Sequence, residues 1–564
     1  MLIIIACWVV LFLIIFQIGR LLLAKSLLRI FLFKGEINWF EYFWIGLVGV
    51  IAILQIWSIF LPVNGYAFLF VASISVISLV ISILKGCRFS KLEDILKFKN
   101  ENPAFILIGL FVLVAISFYA SQAVTWPDTL LYHLNAVKWS NTYVVVPGLA
   151  NLHSRLGFNS SLFLFASMID NFFLKDASVH IALPLLISVL SLEIVWILLK
   201  KGKLSIKFFC LLVIPFVFRE VAGTNVTSSF STDFALALMV IATSIEFLIN
   251  DTKALLITGI MACLVLTIKL SGTVFFATIF LFVLFELIKK VDKTKWKVIL
   301  IMLISPGTLF IPYIVRNIIL SGWPFYPAPV LGVNEPWALT RTMVAGIYTL
   351  IHAWAISPGP NWSKFRYVSL LQWIPVWFGI NSGSPEIIMF FLSCLLFMVL
   401  PVFKLIKKIS GIFDKSLFFL CAASLLSTIY IFLTAPDFRF GAVFVWIFFA
   451  AAVTPYIIFL DKKFKNFRPV IIIAWFIFLI VISPPPSLKG RFILRAVPKE
   501  VPRPTEKILV KEPNPKDQFF ILKPTQGNLC GNADLLCTPE LNDIRELVPG
   551  DISKGFAPSD QPIF

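Results

Sequence analysis

Apolar residues fall in runs of roughly 20, each about long enough for a helix to cross a ~30 Å hydrocarbon core. About fourteen runs can be drawn, at 2–19, 41–62, 66–84, 104–120, 178–199, 208–222, 231–249, 254–270, 272–288, 298–320, 386–406, 416–434, 440–460 and 469–483. The pattern predicts an all-α polytopic membrane protein of about 14 transmembrane helices. The first run, Leu2 to Ile18, leads into charged residues and further runs without a small-residue cleavage site, so it reads as an anchor.

The polar stretches between runs alternate in character. Lysines gather at 85–99, 200–207, 289–297, 404–415 and 462–465, which is the signature of cytoplasmic loops. The segments between those clusters are 121–177, 321–385, the turn near 435–439 and the tail from 484. They are poorer in lysine and rich in Trp, Pro and Asn, and they are assigned to the far side. Hydrophobic residues make up 59% of the 564 and charged residues 14%, with mean hydropathy +0.93, which excludes a soluble globular protein. The net charge of +18 would otherwise point to nucleic acid. Its confinement to interhelical loops makes it a topology signal, and no nucleic-acid partner is expected.

Within 121–177, Thr125, Pro127 and Asp128 read as a helix start, and the short apolar stretch 161–173 reads as an interfacial or re-entrant helix. Segment 321–385 is dense in tryptophan and proline, which suits the headgroup layer. The tail opens at Pro484-Pro485-Pro486 and carries β-like runs at Phe492-Ile493-Leu494 and Phe519-Phe520-Ile521-Leu522, predicting a small extracytoplasmic module. Six cysteines, Cys7, Cys87, Cys210, Cys263, Cys394 and Cys421, sit in or beside apolar runs as fillers. Cys530 and Cys537 lie in the hydrophilic tail, where a disulfide is the better reading than a metal site.

Five polar residues fall on the predicted outer side at or near run ends: Asp128, Asp233, Lys269, Arg316 and Arg439. Each has a structural reading beside a chemical one. Asp128 in Thr125-Trp126-Pro127-Asp128 forms a capping box or serves as a base, with Tyr132 and His133 close by. Asp233 is a first-turn acid or, with the serine-rich run 228–232, part of a polar substrate site. Lys269 sits at an outer turn where the charge bias disfavours lysine; it snorkels or holds an anion. Arg439 pairs locally with Asp437 or serves the same anion, and Arg316 orients the loop that begins at Ser321 or binds substrate. Sequons at Asn159, Asn225 and Asn361 are short, frequent by chance and given no weight.

At these residues the chain resembles the C-type (GT-C) glycosyltransferase superfamily, whose members include protein O-mannosyltransferases and the aminoarabinose transferase of lipid A. The likeness covers roughly residues 104–460. It rests on Asp128 in the first outer loop, Ser231-Thr232-Asp233 at a helix start, the turn Lys269-Leu270-Ser271-Gly272 and the pair Arg439-Phe440. It implies a polyprenyl-phosphate sugar as donor, with Asp128 as the base. Many members carry two adjacent acids in the first loop, whereas Trp126-Pro127-Asp128-Thr129 has one, so the cofactor stays open.

The expectation is therefore extra N-terminal helices over 1–103, a GT-C-like core over 104–460, a last transmembrane helix within 461–483 and an extracytoplasmic tail over 484–564. Asp128 is expected to be catalytic. Tyr132, His133, Asp233, Lys269, Arg316 and Arg439 are expected to bind substrate, which is transferred to a glycan, lipid or protein acceptor at the bacterial inner membrane. The competing expectations are a carrier or flippase of a lipid-linked glycan, and a polymerase, ligase or scaffold.

Overall fold

The computed structural model describes residues 1–25, 37–84, 103–224, 226–290, 296–405, 414–464, 505–510, 518–540 and 544–558. The predicted run 469–483, Cys87, Asn225 and the stretches 484–486 and 492–494 lie outside them. Four helices open the chain: α1 (Leu2–Lys25), α2 (Trp39–Phe60), α3 (Gly65–Leu84) and α4 (Pro103–Ala120). α1 and α2 meet backbone to backbone. A Cβ on Gly19 would lie 1.7 Å from the Tyr42 carbonyl oxygen, and one on Gly46 1.9 Å from that of Ile15. Glycine at such a crossing supplies the close packing that lipid, as apolar as the side chains, cannot drive.

Two short helices, α5 (Leu134–Thr142) and α6 (Ser161–Ile169), fold within the first large loop. The bundle continues with α7 (Ala182–Leu199), α8 (Leu204–Gly223), α9 (Thr232–Ile249), α10 (Thr252–Ile268), α11 (Thr273–Lys290) and α12 (Trp296–Ser321). It is completed by α13 (Arg341–Ile356), α14 (Leu370–Asn381), α15 (Pro385–Leu405), α16 (Lys415–Thr434) and α17 (Phe438–Lys463). Among the described residues, ten helices are long and apolar enough to cross a membrane, or eleven if α14 and α15, bent by 112°, count as one span. The protein is an all-α polytopic membrane protein in its bundle.

α9 lies at the centre, with 89% of its apolar window buried against neighbours that include α8, α10 and α17. α4, at 22%, leaves an apolar face outward, as a lipid-facing helix must. Several hydroxyls inside the bundle are satisfied locally: Ser244, Thr258, Ser424 and Thr454 each donate to the carbonyl four residues back. Glu193, inside α7, accepts from Trp44 Nε1 at 2.8 Å, while Glu41 holds Lys253 at 2.7 Å.

The stretch 161–173 differs from its expectation. Every residue of α6 is buried in protein, with the Ser167 hydroxyl donating to the carbonyls of Val63 and Val137. α6 thus packs as part of a cap with no face left for the bilayer, and of the stretch only Phe172 and Phe173, just beyond the helix, stay exposed.

The tail forms two antiparallel pairs, β1 (Thr505–Val510) with β2 (Phe519–Pro524), and β3 (Ile544–Glu546) with β4 (Phe556–Pro558). Cys530 and Cys537 are disulfide-bonded. The loop they close docks on the first large loop: Gly531 N–H donates to Leu130 O at 2.6 Å, and Lys138 Nζ reaches the carbonyls of Asn532 and Ala533 at 2.9 and 3.0 Å. Thr538 donates to Leu152 O, and Phe556 N–H to Pro147 O at 3.0 Å. Replacing both Cys530 and Cys537 by serine releases a short closed loop and should cost the tail about 2 kcal/mol. Limited proteolysis should then cut the tail faster, and because Leu130 follows Asp128 by two residues, any activity of the first loop should fall with it.

Candidate active site

The polar residues singled out in the sequence come together at one end of the bundle. α4 ends at Ala120, and after a short extended stretch Asp128 opens a single π-turn over Thr129–His133. The turn is tied to the start of α9. Ser229 Oγ accepts from the backbone N–H groups of Thr125 and Trp126 at 3.2 Å, and the Thr129 hydroxyl donates to Ser229 O. Ser231 caps α9 by accepting from Phe234 N–H. The serine-rich run is therefore occupied in joining two segments, which explains it without a bound substrate.

Asp128 makes no cap hydrogen bond, so the capping-box reading is corrected. Its carboxylate instead accepts from Arg439 Nη1 at 3.0 Å, with Arg155 Nη1 at 3.8 Å. Asp233, in the first turn of α9, pairs with Lys269 and lies 3.8 Å from Arg439 Nε. Arg439 thus bridges both acids. Lys269 Nζ and the Arg439 guanidinium also lie 4.1 and 4.6 Å from the centroid of Phe440. The quadrupole of that ring helps hold two like charges side by side.

Asp437 is not the ion-pair partner of Arg439. Its carboxylate caps α17, accepting from Arg439 N–H at 2.8 Å, and burial pushes its proton affinity up despite the nearby guanidinium. Burial acts on Asp128 in the same direction, but there Arg439 and then Arg155 outweigh it and hold the carboxyl below the usual carboxylate range.

His133 is buried between Phe163 and Phe230, with Nδ1 3.1 Å from the Thr129 hydroxyl. Burial pushes its pKa down to about 4, so the ring is neutral at neutral pH; its Nε2 has no partner among the described residues. Tyr132 packs its edge on Phe158 and lies 5.9 Å from Arg155, and burial raises its pKa.

Arg316 stands apart from this cluster. Its Nε donates to Asn159 Oδ1 at 3.3 Å. Its neighbour Asn317 orients the following loop, through Pro324 O at 2.7 Å. Asn159 is buried in these bonds, which closes that sequon to modification.

Sequence reasoning missed Arg155 and a second network in which Arg219 holds Glu220 and Glu386. Arg155 carried a signal, being a cation in a loop otherwise poor in charge. Beyond Asp437 lies an apolar cavity of about 340 Å³, walled by Trp377, Phe378, Phe390, Phe432 and Phe438. No three His, Cys, Asp or Glu among the described residues converge in a group able to hold a metal ion.

Fold and site together define a polytopic membrane protein with two acids and three cations locked together at one end of the bundle. The family described as Domain of unknown function (DUF8201) matches residues 1–446, and the chain belongs to it. That match includes Asp128, Arg155, Asp233, Lys269, Arg439 and Phe440. No curated protein and no solved structure matches the chain.

Proposed function

We propose that this protein is a membrane glycosyltransferase that moves a sugar from a polyprenyl-phosphate donor to an extracytoplasmic acceptor, a glycan, lipid or protein. One observation carries the reading: Asp128 sits on Arg439, which also reaches Asp233 and in the chain directly follows Asp437 and Phe438 in the wall of an apolar cavity. Arg155, Lys269 and Arg439 face Asp128 and Asp233 in one ion-pair network, with Asp437 beside them on the N–H of Arg439. A sugar phosphodiester carries one negative charge that these cations can meet, while the cavity suits an isoprenoid chain. The C-type resemblance supplies the donor class.

In the proposed step an acceptor hydroxyl gives its proton to Asp128 as its oxygen attacks the anomeric carbon from the far face. The bond from that carbon to the phosphate oxygen breaks, and its electron pair leaves with the polyprenyl phosphate, which becomes a dianion. Lys269 and Arg439 meet that added charge. Donor phosphate drawing Arg439 toward itself also loosens its hold on Asp128 and raises the basicity of the carboxylate when it is needed. His133 and Tyr132 orient sugar or acceptor through Nε2 and the hydroxyl.

In the topology proposed with this reading, α8, α10 and the 469–483 run cross as well, for fourteen spans. The site and the tail then both face away from the cytoplasm at the bacterial inner membrane. The bonds between the tail and the first loop support their sharing one face.

The pH dependence follows from the environment of Asp128. Its folded pKa is depressed, so its ion pairs add stability above the ordinary carboxylate range and lose it as pH falls through the folded value. With His133 neutral throughout, kcat/KM should stay flat from about pH 8 to about pH 5. A limb centred near the usual histidine value would assign the proton transfer to His133 instead.

A panel of labelled undecaprenyl-phosphate sugars, offered to the purified protein in nanodiscs, tests the class. Label leaving the lipid is the expected result. Label that crosses a vesicle bilayer still joined to its lipid would make the protein a carrier.

A further inference from the structure

A buried arginine at a membrane-embedded helix end is costly unless something neutralises it. Arg316 is 5% exposed, yet it forms no ion pair among the described residues, and its one hydrogen bond there goes to the neutral amide of Asn159. Asn159 is fixed from behind, since its Nδ2 donates to Tyr313 O at 3.2 Å and its carbonyl accepts from the Tyr313 hydroxyl at 3.3 Å. The Nε edge of the guanidinium is thus held in place. Both Nη groups bond to nothing among the described residues while keeping some accessible surface.

A fixed guanidinium with a free Nη edge is the fork that binds an oxyanion in two parallel hydrogen bonds. We infer that Arg316 is a second anion subsite, which takes a phosphate group distinct from the one met by Arg439 and Lys269. The charge count of the main site favours this. Its three cations already face Asp128, Asp233 and, beside Arg439, Asp437, so once they meet one phosphodiester they leave nothing for a second anionic group. Arg316 supplies the missing charge. It is connected to the main site through Asn159 and its neighbour Phe158, whose ring lies between Tyr132 and Tyr326 with centroids 5.8 and 5.5 Å away.

The inference rests on the proposed transferase only for the use made of the phosphate; binding itself is testable alone. The phosphate comes either free in water or on a lipid headgroup. Full-length protein in phosphatidylcholine nanodiscs is melted alone, with inorganic phosphate, and with phosphatidic acid in the disc. Wild type, Arg316→Gln, Arg316→Met and Lys269→Gln are compared. A phosphate-dependent rise of roughly 1–3 °C is expected in wild type, reduced in both Arg316 variants and reduced independently in Lys269→Gln, which weakens the main site instead. Without phosphate, the Arg316 variants should melt no lower than wild type, because they remove an uncompensated buried charge.

A rise with inorganic phosphate assigns a free ligand, and a rise confined to the phosphatidic-acid discs assigns a headgroup; either supports the subsite. A rise in Arg316→Gln as large as in wild type, or no rise from either source, overturns it. So does a large drop in the phosphate-free melting temperature of both Arg316 variants, which would make Arg316 a structural strut. Sugar release from undecaprenyl phosphate is read separately, so transfer can fail while the subsite stands, and the reverse.

Discussion

Asp128→Asn should lower the rate of sugar transfer roughly a thousandfold, the usual cost of removing a general base. The substitution keeps the shape of the side chain, so the hydrogen bond from Arg439 survives in weaker form. Donor affinity should be retained or increased, because Arg439 no longer has to leave a carboxylate to meet the phosphate. The pairing of a lost kcat with an unchanged or lower KM is the mark of a group acting in the transition state. Asp128→Glu keeps the charge but moves it by one methylene and should recover only part of the rate. If Asp128 were merely a structural partner of Arg439, both substitutions would instead lower stability and binding together.

Arg439→Gln is the second large effect and differs in kind. Arg439 is the only residue among those described that reaches both Asp128 and Asp233, so its loss removes the shared counter-charge of two partly buried acids. Breaking such a pair from one side costs about 3–5 kcal/mol when it is fully buried. Here the side chains keep 27% and 15% exposure at Arg439 and Asp128, so roughly half that, about 2 kcal/mol, is expected in the melting transition. Transfer should fall by about a hundredfold or more as the leaving phosphate loses a donor. Arg439→Lys should rescue little, since one ammonium cannot span both carboxylates as the guanidinium does. The double variant Asp128→Asn with Arg439→Gln should be less damaged in stability than the two single losses added together.

The helical, polytopic architecture was legible because bilayer thickness fixes the length of an apolar run, and lysine counts fix which loops alternate. Much of the candidate site was legible for a related reason. Asp128, Asp233, Lys269 and Arg439 are ionisable residues where composition disfavours charge, and all four meet. Their pairing was not legible, for Asp128 and Arg439 are 311 residues apart and nothing local links them. Local pattern favoured Asp437 for Arg439 and a capping role for Asp128; tertiary contacts overrode both.

Other placements were not legible, for physical reasons of their own. Arg316 was grouped with the other cations by its outer position, but the face of α12 that carries it turns toward Asn159. The 161–173 stretch was read as membrane-interfacial because a short apolar helix looks the same to a sequence whether lipid or protein covers it. The sharp bend between α14 and α15, and the docking of the Cys530–Cys537 loop beside Leu130, depend on contacts that no local pattern encodes.

The most direct measurement is a single-turnover experiment in nanodiscs with labelled undecaprenyl-phosphate sugar already bound, comparing wild type with Asp128→Asn on addition of an envelope extract as acceptor. The account predicts that wild type releases the sugar from the lipid and that Asp128→Asn holds the intact donor over the same time. Release by Asp128→Asn at the wild-type rate would remove Asp128 as the base, and intact donor retained by wild type would contradict the transferase itself.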